Sequence, residues 1–76
     1  MSKILYQVHF DGAQVFECKA MTLKIAIALF RFKHSDATIN QFLLIGAYGN
    51  WISISVDQVA TLERVIQFAR ERRAAA

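Results

Sequence analysis

The chain of 76 residues holds a single cysteine, Cys18, so no disulfide can form within it. Its two histidines, His9 and His34, stand apart and lack the thiol or carboxylate neighbours that metal ligation requires. The three glycines, Gly12, Gly46 and Gly49, fit neither the dinucleotide fingerprint nor a phosphate-binding loop. No metal, cofactor or covalent staple is therefore expected. Long apolar runs are also missing. The longest, residues 23–32, is broken by Lys24 and Arg31 and falls far short of the about 20 residues that span a bilayer. Met1-Ser2-Lys3 leads directly into alternating sequence, without the charged and apolar regions of a secretory leader. With the unpaired cysteine, these absences predict a cytoplasmic protein with no membrane partner.

A chain this short sits near the lower limit for a self-sufficient core and must lean on dense apolar packing or on self-association. Hydrophobic residues make up 55% of it, above the roughly 45–50% of ordinary domains. The excess predicts apolar surface left over for an interface. The net charge of +3 is compatible with acidic partners, and equally with none.

Residues 3–10 alternate, with Ile4, Tyr6, Val8 and Phe10 on one side and Leu5, Gln7 and His9 on the other, as a half-buried strand does. Asp11-Gly12 signals a hairpin into a second strand at residues 14–20. Parity favours a three-residue loop, 10–12, with Gly12 left-handed, Phe16 across from Tyr6 and Cys18 across from Ile4. Thr22 is a fitting N-cap, and residues 23–34 read as a helix, although Leu23, Ile25, Ile27 and Leu29 also alternate as in a strand. As a helix, the segment has two apolar faces: Leu23, Ala26, Ile27 and Phe30 on one, and Ile25, Leu29 and Phe32 on the other. Residues 38–47 and 51–55 read as strands joined by a two-residue Gly49-Asn50 loop. That loop pairs Tyr48 with Trp51 and puts Leu43 and Ile45 on the face of Ile52 and Ile54, with Phe42 and Leu44 opposite. Ser55-Val56-Asp57-Gln58 is a capping-box signature, followed by an apolar stripe of Val59, Leu62, Val65, Ile66 and Ala69. The expected architecture is one α+β domain over residues 1–73 in the order ββαββα. It has a four-stranded antiparallel sheet, both helices on one sheet face, and a frayed tail at 74–76.

General acid–base catalysis needs two titratable groups brought together. The six acids Asp11, Glu17, Asp36, Asp57, Glu63 and Glu71 fall instead on turns, strand surfaces, a helix first turn and exposed helix faces. Cys18 points inward and His9 outward, so they form no thiol–imidazole pair. No catalytic residue is expected. The apolar surplus supplies the candidate partner-binding set: Phe42, Leu44, Tyr48 and Trp51 on the sheet, and Ile25, Leu29 and Phe32 on the first helix. A nucleic-acid surface is the alternative, built from Lys24, Arg31, Lys33, Arg64, Arg70, Arg72 and Arg73. Phe68 would stack beside them or cap the edge of the core.

The run of residues 16–29, strand then threonine cap then helix, resembles many tiny phage-encoded host-takeover proteins, anti-CRISPR proteins and phage inhibitors of bacterial RNA polymerase among them. The resemblance spans roughly residues 4–56 and rests on element order and size, without a diagnostic motif. It implies a non-enzymatic inhibitor or regulator of a host macromolecular complex. The basic balance of this chain departs from the acidic DNA mimics among those proteins and points to direct occlusion of a protein partner, with homodimerisation a further expectation. Residues 49–58 followed by a helix are similar to the end of PC4-like single-stranded-DNA-binding domains, which have four strands and then one helix. That resemblance implies a small basic protein binding single-stranded DNA or RNA, and it requires residues 23–33 to be a strand.

Overall fold

A computed structural model describes residues 2–75. The described elements are β1 (Ile4–Phe10), β2 (Gln14–Ala20), α1 (Leu23–Lys33), β3 (Ile39–Ile45), β4 (Trp51–Ile54) and α2 (Val56–Ala75). This is the predicted ββαββα order. One antiparallel sheet runs β2-β1-β3-β4, so the first strand is central and the first hairpin occupies one edge. Both helices lie on the same side of it, α1 toward β2 and α2 toward β3.

Local chemistry explains the boundaries. The Thr22 hydroxyl accepts a hydrogen bond from the Ile25 N–H, satisfying one of the free donors at the start of α1. Residues 23–33 are therefore a helix, and four strands followed by one helix is not the order of this chain. At the start of α2 the Ser55 hydroxyl accepts from the Gln58 N–H, while Asp57 places negative charge in the first turn. That helix runs on through Arg72 and Arg73 to Ala75, so the frayed tail expected from residue 74 is helical at 74 and 75. Ala76 lies outside the described residues.

The core forms where the inward side chains of the sheet meet the helices. Tyr6, Val8 and Phe10 of β1 point inward with Phe42 and Ile54, and meet Ala26, Ile27 and Phe30 of α1 and Val59 of α2. Phe30 lies edge-on to Phe10 (5.2 Å between ring centres) and to Phe16 (5.5 Å). Each fully buried side chain of this size contributes about 1.5–3 kcal/mol. The C-cap residue His34 joins the cluster with its ring 4.5 Å from that of Phe10, a role its sequence position does not suggest. Of the stripe expected on α2, Val59, Leu62 and Ile66 turn inward, whereas Val65 and Ala69 are exposed.

Both hairpins close differently from expectation. In the first, Phe10 pairs with Gln14, so the loop is 11–13 and Tyr6 stands opposite Cys18. The loop keeps its three residues and a left-handed Gly12 (φ +87°), but slides one residue along the chain, which shifts the strand pairing by two. Asp11 accounts for the shift. Its backbone N–H donates to the Thr38 carbonyl, its carboxylate accepts from the Thr38 N–H, and β1 stays extended through Phe10. An even shift preserves the faces.

The second hairpin shifts by an odd number, and the faces exchange. Ile45 pairs with Trp51 across a five-residue loop, 46–50. The Gly46 N–H donates to the Asn50 carbonyl (2.7 Å), and the Gly49 N–H to the Gly46 carbonyl (3.0 Å). A Cβ at Gly46 would lie 2.8 Å from both Asn50 Oδ1 and Ile52 Cδ1, so any other residue here would make those two side chains shift. Phe42 and Leu44 consequently share the inward face with Ile52 and Ile54, while Leu43 and Ile45 face outward.

Candidate functional site

With both helices on one side, the other side of the sheet is uncovered by any described residue. It is built from the outward residues of every strand: Val15, Glu17 and Lys19 of β2, Leu5, Gln7 and His9 of β1, Gln41, Leu43 and Ile45 of β3, and Trp51 and Ser53 of β4. These residues divide into two regions. Leu5, Leu43, Ile45 and Trp51 form an apolar one, in which Leu43 is shielded by its neighbours and Trp51 is 42% exposed. Beside it runs a chain of polar groups. His9 Nε2 meets Gln7 Oε1 at 2.8 Å and must donate, because an amide oxygen only accepts. Gln7 Nε2 in turn donates to Glu17 Oε1 at 3.2 Å.

The residues expected to bind a partner are thus only partly brought together. Phe42 is fully buried, edge-on to Tyr6 at 6.0 Å, and Leu44 packs against the same core, so neither forms part of a surface. Tyr48 lies in the 46–50 loop, 98% exposed and off the sheet. Trp51 keeps its outward place, but its neighbours are Ile45 and Leu43. The odd shift in the second hairpin hid Leu43 and Ile45 from sequence reasoning, with Gly46 the available signal for a loop starting earlier. Leu5 already read as outward on β1 and gains these neighbours from the strand order. On α1, Ile25 and Leu29 are about two-fifths exposed and Phe32 is 86% exposed, so the second apolar face of this helix is real and unburied.

The basic residues concentrate on the helices, which hold seven of the nine cations and three of the six acids. Lys24, Lys33, Arg64, Arg70, Arg72 and Arg73 are all exposed. Arg31 is not available in the same way. Its Nε donates to Glu63 Oε1 at 3.0 Å, and Nη1 donates to the carbonyls of His34, Ser35 and Ala37. Its guanidinium also sits 5.3 Å from the centre of the Phe30 ring. It ties α1 to α2 and to the following loop, and Glu63 is its half-buried partner rather than a free surface acid. Phe68 is exposed with the Arg72 guanidinium 5.8 Å from its ring centre, so it stacks rather than capping the core. A cleft of about 600 Å³ between the helices is lined by Ile27, Arg31, Glu63, Arg64 and Arg70 among others.

Cys18 faces inward and is half-buried, and burial pushes its thiol above the ordinary value, the reverse of nucleophile activation. Burial raises Tyr6 too, with Cys18 a smaller contributor. Among the described residues no group of three or more His, Cys, Asp or Glu is placed to hold a metal ion, and no helix is long and apolar enough to cross a membrane. In comparisons with known proteins, no family model, no curated protein and no solved structure matches this chain.

Proposed function

We propose that this protein is a non-enzymatic interaction module that binds a protein partner with the uncovered face of its sheet. One observation carries this: both helices pack on the same side, leaving Leu5, Leu43, Ile45 and Trp51 together on a face that no described residue covers. Removing such surface from water yields about 25 cal/mol per Å² of apolar area. Interface centres favour tryptophan, and a polar rim such as Glu17–Gln7–His9 supplies orientation. Small size and element order, shared with the phage-encoded inhibitors it resembles, favour a regulator that occludes a surface of a host complex. The test is affinity capture from the source cell with mass-spectrometric identification, repeated with Trp51→Ala and with Arg64→Ala. The captured protein should be lost with Trp51→Ala and kept with Arg64→Ala. Its retention by a folded Trp51→Ala chain would place the binding surface elsewhere.

We infer a second role, nucleic-acid contact by the helical layer, from a specific observation: exposed Arg64, Arg70, Arg72 and Arg73 lie along α2, where the exposed Phe68 ring stands against Arg72. Steep weakening of binding with salt is its signature.

A further inference from the structure

The β2 edge carries features that the open face does not account for. β2 is a full seven-residue strand, paired on one side only, to β1, in an unbroken register. Natural proteins usually blunt such an edge with proline, a bulge, brevity or charged side chains. Of these β2 has only the last, in Glu17 and Lys19, which are of opposite sign and can pair with a second copy. The other edge, β4, is only four residues long and runs almost directly into α2. Above the β2 edge lies the unburied flank of α1. Ile27, Ala28 and Arg31 turn toward α2, which puts Ile25 and Leu29 on the opposite side of the helix, over β2.

We propose that two copies of this chain pair edge to edge through β2, on a two-fold axis at Cys18, forming one eight-stranded sheet. An axis perpendicular to the sheet makes the two β2 strands antiparallel and keeps both helical layers on one side. Charge selects the register. Centred on Cys18, Glu17 of each copy faces Lys19 of the other, giving two opposite-charge cross-strand pairs on the open face. The two adjacent registers, centred on Glu17 or on Lys19, set like charges face to face. Glu17 and Lys19 are both exposed, and their partners across β1 are the uncharged Gln7 and Leu5, so neither charge is answered by an opposite charge within the sheet. The same axis brings Ile25 and Leu29 of one α1 against those of the other, covering that flank of the helix's second apolar face. The interaction module proposed above deepens into a dimer whose two open faces run together as one. Trp51 stays clear of the contact, so the two proposals fail separately.

The full-length chain tests this in three measurements. Light scattering should give a dimer at micromolar concentrations. Lys19→Glu and Glu17→Lys should each weaken it roughly tenfold or more, and the double exchange Glu17→Lys/Lys19→Glu should restore it, because the pairs reform with reversed signs. Copper(II)–phenanthroline should then link the copies through Cys18. Directly opposed residues on antiparallel strands stand about 4.5–5.5 Å apart at Cα, within disulfide range. Each thiol gives up its proton and the pair two electrons to copper(II), and dithiothreitol should reverse the link. Trp51→Ala should leave the dimer intact. A monomeric wild-type chain, a dimer indifferent to the single charge changes, or a double exchange that fails to restore it would each overturn the proposal.

Discussion

At the scale of single residues, Arg31 shows how a charge on an apolar helix acquires a structural role. A guanidinium presents five donors in a fixed fork, and this one spends them on Glu63 and on three carbonyls beyond the end of α1. The Ser35 and Ala37 carbonyls belong to the loop after the helix, and that of His34 also accepts from the Ala37 N–H, so the guanidinium fastens this loop to α1. Arg31→Ala should destabilise the fold by about 1–3 kcal/mol in urea denaturation, since a half-buried carboxylate and several acceptors lose their donor together. Arg31→Lys should recover less than half of that, because an ammonium cannot span the fork. A loss below about 0.5 kcal/mol would reduce the contact to an ordinary surface pair. Its place at the centre of that network, rather than its charge, removes Arg31 from any surface that contacts nucleic acid.

Among elements, the β3–β4 hairpin decides which residues are core. Alternation along a strand says only that two faces differ, and the length of the loop says which face is which. The stretch 42–45 is Phe-Leu-Leu-Ile, apolar on both faces, so its own pattern cannot choose. Gly46 marks where the loop begins: its N–H pairs with the Asn50 carbonyl, and a Cβ there would crowd the Asn50 and Ile52 side chains. Phe42→Ala is accordingly expected to cost about 3–5 kcal/mol in thermal or chemical denaturation, as deletion of a fully buried ring does, whereas Trp51→Ala should cost well under half as much. Comparable losses for the two would mean the strand lies in the other register. The first helix and the cap of the second were legible without the fold, because Thr22 and Ser55 act on donors three residues away in sequence.

Over the whole molecule, the layers separate by charge. The helices carry a clear positive excess, while the sheet and its loops hold two cations against three acids. A partner that is neutral and apolar suits the open sheet face, and a polyanion suits the helices. Binding of a single-stranded oligonucleotide through Arg64, Arg70, Arg72 and Arg73 should weaken roughly 50-fold between about 50 and 200 mM salt, as release of some four counterions requires. A flat titration, or no binding at low salt, would leave the helical charge as a solvated surface. The length of α2 belongs to this scale too. Its inward contacts end near Ile66, and the remaining turns carry the arginines out into solvent.

Sequence by itself determined the order of the six elements, the two N-caps, the inward face of β1 and the unusual second apolar face of α1. Each follows from spacing within one segment, where the periods of helix and strand act directly on neighbouring residues. Tertiary structure alone decided that Phe42 and Leu44 are core, that Leu5, Leu43 and Ile45 join Trp51 on the open face, that Arg31 is consumed by Glu63, and that β2 is an edge. Those outcomes depend on how separate segments meet. Pairing register, strand order and the reach of a side chain across a helix interface are set by packing between elements, and a linear pattern does not encode them locally.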